Sequence, residues 1–205
     1  MRHARKTAPR LAQFSSISGV IACMVASTAT VACAQPVLRA ENYMVGANQW
    51  TSPDGSYTVE LSRVGWVTVD IDNESREVLA RFEPSDAQSR DHLALCDVHG
   101  QREMAFGGDQ ERLNRAMSRF SFDALAAPGT ELVTTHREMS SVVIAQTTFR
   151  AEGLWMRYIA FSLPTDGGAI LHIINCALGG APEQSSIREV EAIVDSILFA
   201  SGNTQ

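Results

Sequence analysis

The sequence predicts an α+β fold, a mostly antiparallel β-sheet covered by two amphipathic helices. Three observations carry that expectation. Ala169 to Leu178 is a nearly continuous apolar run rich in isoleucine, as in a strand buried on both faces. Two other stretches, around Leu113 and around Val190, repeat apolar residues at helical spacing. The remaining segments are short alternating runs separated by tight turns, without regular strand–helix–strand order.

The start of the chain reads as an export signal. Arg2, Arg5, Lys6 and Arg10 form a basic start, Ile17 to Val31 is apolar or small, and Ala32-Cys33-Ala34 supplies small residues for cleavage. Residues 1–34 are therefore expected to be a cleaved secretory signal peptide. The apolar run is short and diluted by Ser and Thr, which disfavours a retained membrane anchor. Val20-Ile21-Ala22-Cys23 also resembles a bacterial lipobox, leaving lipid anchoring at Cys23 as the alternative. Residues 35–52 read as an N-terminal tether, 53–200 as a single α+β domain and 201–205 as a frayed tail. The expected address is periplasmic or secreted.

Within the domain, Pro53-Asp54-Gly55 carries turn chemistry. Tyr57 to Leu61, Val67 to Ile71 and Glu77 to Glu83 alternate as half-buried strands, with a polar turn at Asp72 to Ser75. His92 to Val98 is a fourth strand, and Gly100-Gln101 is expected to turn it into Glu103 to Phe106. Asp109 can cap a helix from Gln110, whose Leu113, Ala116, Met117 and Phe120 share a face and which Ala127-Pro128-Gly129 stops. Leu132 to Arg137, Val142 to Phe149 and Trp155 to Leu163 are three further strands, turned at Ser140-Ser141 and Ala151-Glu152-Gly153. After the Ala169 strand, the last helix begins at Pro182 or at a capping box from Ser186 to Glu189. Its apolar face is Ile187, Val190, Val194 and Ile197, widened by Ile193 and Leu198.

Tyr57-Thr58-Val59-Glu60-Leu61 followed by Gly65-Trp66-Val67-Thr68-Val69, with Ile170 to Ile174 and Val190 to Phe199 at the end, resembles the PsbP-like and DcrB-like α/β/α sandwich proteins. The likeness lies in element order from about Ser56 to Ala200. It implies an accessory or binding protein of an exported or lumenal compartment, with no shared active site to carry across.

Charge narrows the partners. The chain has formal net charge −6, and its one lysine, Lys6, falls in the signal. No Schiff-base or P-loop lysine remains beyond the signal, and an acidic mixed surface disfavours nucleic acid and anionic membranes. Expected partners are an unknown protein or small-molecule ligand in the cell envelope, with no transmembrane segment after cleavage and no cofactor. None of G-x-S-x-G, H-E-x-x-H, G-x-G-x-x-G, C-x-x-C or S-x-x-K occurs, which removes the common catalytic routes, and the resemblance implies a non-enzymatic role.

Five groupings remain. Beyond the signal, the cysteines are Cys96 and Cys176, and an oxidising compartment favours a disulfide between them. His92-x-x-x-Cys96 and His172-x-x-x-Cys176 repeat one spacing on two strands, which suggests a metal-binding protein or metallohydrolase as the alternative. Four residues of strand span about 13 Å, so one ion cannot take both residues of a single motif. Asp91, Cys96, Asp97 and His99 near His92 read better as a solvated strand end. Asp70-x-Asp72-Asn73-Glu74 lacks the glycine and final glutamate of a calcium loop. Arg112, Arg115 and Arg119 form a stripe on the first helix, a candidate binding surface that Glu111 would blunt by pairing with Arg115.

Overall fold

A computed structural model describes residues 46–70, 78–90, 92–103, 109–126, 132–151, 153–165 and 168–200. The expected signal, the calcium-like turn from Ile71 and Asp91 lie outside these residues. Among these residues the fold has ten strands and two α-helices. A seven-stranded antiparallel sheet has the order β3-β4-β5-β9-β8-β7-β6, comprising β3 Trp66–Val69, β4 Val78–Pro84, β5 Ala94–Glu103, β6 Thr135–Met139, β7 Val142–Ala151, β8 Leu154–Thr165 and β9 Gly168–Gly179. The apolar Ala169 run is thus the middle strand, buried along almost its whole length because both faces are covered. A second, three-stranded sheet, β1-β2-β10, contains β1 Gln49–Thr51, β2 Tyr57–Glu60 and β10 Ile197–Phe199.

The two faces of the large sheet are covered differently. One face carries Phe82, Cys96, Val98, Ile159, Phe161, Ile174 and Leu178. It packs against Trp50, Tyr57 and Val59 of the small sheet and against Val190, Ile193 and Val194 of helix α2, Gln184–Asp195. We call this the closed face. The other, the open face, meets helix α1, Gln110–Met117, chiefly over β7 and β8 among the described residues. There Met117, Phe122 and Leu132 cluster with Ala145, Tyr158, Ala160, Leu171 and Ile173.

Several expected boundaries move, each for a packing reason. Gly46 to Ser52 belongs to the fold and not to the tether: Gly46 N–H bonds Thr68 O at 2.7 Å, and Trp50 is buried against Tyr57 and Phe82. Gly100 does not turn the chain. β5 runs through it paired with β9, and the missing side chain makes room for Leu79, since a Cβ there would lie 2.7 Å from Leu79 Cδ1. α1 stops at Met117 and not at Ala127. The chain leaves the helix to bury Phe122 under Tyr158, and Phe122 N–H bonds Thr134 Oγ1 at 3.0 Å. The strand expected from Leu132 begins at Thr135, with Leu132 buried in that same cluster.

α2 starts at Gln184 with Glu183 at its N-cap, without a side-chain cap bond. Pro182 precedes it, and Glu189 of the expected capping box instead accepts from Trp66 Nε1 at 3.1 Å. The helix ends at Asp195, and Ile197 to Phe199 pairs with β2, leaving Leu198 exposed. Helical periodicity ran on into these residues because a three-residue strand can continue an apolar helical pattern by chance. The Ser140-Ser141 turn holds: both residues have left-handed φ, 48° and 67°, as a two-residue hairpin of the type I′ hand requires.

Candidate functional site

The site follows from strand alternation plus register. Successive side chains leave opposite faces of a strand, so the pairing alone decides which residues meet across a face. On the open face, Arg81 lies across from Asp97, Asp97 from Asn175, Asn175 from Tyr158, and Tyr158 from Thr147. These five residues make one polar row over five strands. The next row is apolar, running from Leu95 through Ala177 and Met156 to Phe149. α1 stops short of both rows on the β4–β5 side, and Leu95, Met156 and Phe149 stay half-buried.

Arg81 grips Asp97 with both ends of its fork, Nε to Oδ1 at 2.7 Å and Nη2 to Oδ2 at 2.9 Å. This fixed geometry holds a formal charge pair on the sheet without a net charge. The Asn175 Oδ1 is buried and accepts no hydrogen bond among the described residues. Tyr158 stacks on Phe149 at 5.6 Å, and burial raises its hydroxyl pKa above the usual value. Beyond Arg81 and Glu83 the face continues into a shallow groove of about 290 Å³ between Val67, Val69, Glu83, Pro84, Asp86 and Gln88. Arg90 braces its rim, bonding Asp86 Oδ1 at 2.7 Å and Glu189 Oε2 at 3.0 Å. That bond holds the Asp86 carboxyl below its ordinary value. Burial works against the Arg90 charge, but Glu189 and Asp86 outweigh it and raise the guanidinium pKa.

The sequence groupings land elsewhere. Cys96 and Cys176 are directly opposed on β5 and β9, Cα–Cα 4.0 Å, and form a disulfide in the closed-face core. The four-residue metal grouping does not form. The disulfide uses both thiols, and register puts His92 and His172 about eight residues apart along paired strands, roughly 26 Å. The His92 Nε2 lies 3.4 Å from Ser186 Oγ at the start of α2, while His172 is wholly buried beside Tyr57. Arg112 and Arg115 are exposed on α1, Arg119 just past its end, and Arg115 pairs with Glu111 as expected. Leu113 and Met117 turn inward from them.

Sequence inspection missed the row of Asn175 and Tyr158. Alternation showed that Asn175 interrupts an apolar strand, but not what stands beside it. It also missed Asn114, whose Oδ1 accepts from Val143 N–H at 2.9 Å and whose Nδ2 donates to Ser141 O at 2.7 Å. That pair of bonds ties α1 to the β6–β7 hairpin.

Fold and site together define an α+β protein with one sealed and one half-open sheet face. No helix among the described residues is long and apolar enough to cross a membrane. No protein-family model matches the chain, and no curated protein matches it. Solved structures that the chain resembles include two of limited likeness. One is a protein from Bacteroides thetaiotaomicron VPI-5482, 10% identical over 78% of this chain and 50% of that one, with TM-score 0.43. The chain thus spans half of that protein's length. The other is LpqN, involved in cell envelope biogenesis of Mycobacterium tuberculosis, 9% identical over 71% of this chain and 79% of that one, with TM-score 0.32. Likeness of this extent carries no argument about family or activity.

Proposed function

We propose that this is an exported, non-enzymatic accessory protein of the PsbP-like and DcrB-like sandwich type, binding an envelope partner through the open sheet face. The observation that carries the reading is the unequal covering of one sheet. Beside α1, a polar row runs from Arg81 to Tyr158, which is buried against Phe122, and adjoins Leu95 and Met156, both half-buried, and a groove. Such a mixture suits recognition: apolar contact supplies affinity and fixed polar groups supply register. Export is supported by the signal-like start and by the Cys96–Cys176 disulfide, which persists in oxidising compartments. The exposed Arg112, Arg115 and Arg119 flank the same face as a second contact.

Position-resolved photocrosslinking in the native envelope tests this. Benzophenone side chains at Leu95 and Met156 should give a discrete crosslinked species, and one at Thr58 on the outer side of the small sheet should not. Equal labelling at Thr58, or none at Leu95 and Met156, removes the open face from the account. Alanine at Arg112, Arg115 and Arg119 together should weaken the crosslink with thermal stability nearly intact. An unchanged crosslink removes the helix.

A further inference from the structure

We propose that His172 is an acid-sensitive latch holding the three-stranded sheet onto the seven-stranded one. The inference concerns the closed face and does not rest on the binding role of the open one. His172 is 0% exposed at the centre of β9, and its Nδ1 lies 3.3 Å from the hydroxyl of Tyr57, also 0% exposed, on β2. The ring stacks on Phe161 at 5.3 Å and meets Tyr57 edge-on at 4.9 Å. Phe199 of β10 packs against both Phe161 and Tyr57. The imidazole therefore sits where β2 and β10 close over β8 and β9. The His172 Nε2 is buried there without a hydrogen-bond partner among the described residues.

In the neutral tautomer that carries its hydrogen on Nε2, Nδ1 accepts from the Tyr57 O–H. Protonation turns both nitrogens into donors, removes that acceptor and leaves a charged Nε2–H in an apolar core. Few groups compensate. β8 and β10 present Phe161 and Phe199, and the residue opposite on β5 is Gly100, without a side chain. β2 presents Tyr57, whose own ionisation burial pushes far up and the Asp54 charge opposes. The 52–56 turn presents Asp54. Burial works against the Asp54 carboxylate, but bonds from Ser52 Oγ and Ser56 Oγ, 2.7 Å each, and from Ser56 N–H outweigh it and hold the carboxyl below its usual value.

Burial pushes the His172 imidazole down to about 4, with Asp54 pulling weakly the other way. Its contribution to stability is therefore complete above the ordinary value of 6.5, is lost as pH falls from there through about 4, and changes no further below. Loss from Asp54 is centred at lower pH, as its unfolded carboxyl protonates around 3.8 and its folded carboxyl below that. The disulfide and the long β5–β9–β8 pairing keep the large sheet closed, so opening is confined to β2 and β10.

Hydrogen exchange of the disulfide-intact protein at pH 7 and at pH 4.5, corrected for intrinsic rates, reads this directly. The opening equilibrium of β2 and β10 amides should rise on the order of 100-fold, with far less change in β8. The double variant His172→Phe/Tyr57→Phe should show no such rise. The same rise in the double variant, or an equal loss in β2 and β8, overturns the latch. If that variant does not fold, His172→Asn, which keeps a hydrogen-bonding group near Tyr57 without a titrating ring, must be flat instead. In the wild type, an NMR titration of the His172 ring must give a midpoint well below 6.5, and a midpoint near 6.5 overturns the proposal.

Discussion

The closed and open faces are two sides of the same strands, yet they are built on different terms. On β9, the residues facing the small sheet are Ile170, His172, Ile174, Cys176 and Leu178, with His172 the sole polar side chain. Those facing the other way are Leu171, Ile173, Asn175 and Ala177. Here Asn175 lies in line with a fork-to-fork charge pair and a tyrosine. A second sheet seals the closed face, where an unpaired polar group has no water to turn to. The open face keeps solvent within reach of Asp97 and Arg81, 13% and 35% exposed, so charge is tolerated there. Among the described residues, a second sheet covers one face, and the other keeps a charge pair within reach of solvent.

The largest test of this contrast is the disulfide. It closes a loop of sequence separation 80, so Cys96→Ala/Cys176→Ala should cost about 4.5 kcal/mol on a chain-entropy account, read from the urea midpoint. A cost under about 1 kcal/mol would mean that the closed face is not where stability resides. Next, Leu178→Ala on the closed face should cost about 2–5 kcal/mol, because Leu178 is 0% exposed and its cavity cannot fill with water. Leu95→Ala on the open face, half-buried, should cost about 1 kcal/mol. Equal costs for these two leucines would break the comparison. Smallest, Ser141→Gly should stabilise by about 0.5–1 kcal/mol, seen as a raised melting temperature, because glycine adopts its φ of 67° without strain. The hairpin belongs to neither face, so its effect sharpens the contrast by showing what a purely local change is worth.

Much of the fold was legible in the residues because its causes are local. The Ala169 run, the Asp109 cap, the inward Leu113 and Met117, and the Ser140-Ser141 turn each depend on neighbours a few positions away. Element ends were less legible. Phe122 leaves α1 to reach Tyr158, and Ile197 leaves α2 to pair with Val59. Both are decided by partners far along the chain. The site was legible only as a set of faces. Asp97, Asn175 and Tyr158 could be assigned a side by alternation, but not a common row.

The sequence by itself determined an antiparallel α+β protein with a doubly buried strand, two one-sided helices and a pair of cysteines in search of each other. Periodicity and turn chemistry act over a few residues, and nothing distant is needed to read them. Only the tertiary structure decided that the expected Cys96–Cys176 bridge joins directly opposed positions of β5 and β9, that His172 lies under Tyr57, and that Arg81, Asp97, Asn175 and Tyr158 form one line. Each of these depends on register, where a slip of one residue sends every side chain to the opposite face. Burial summed over the whole sheet selects that register, so no single stretch of the chain contains it.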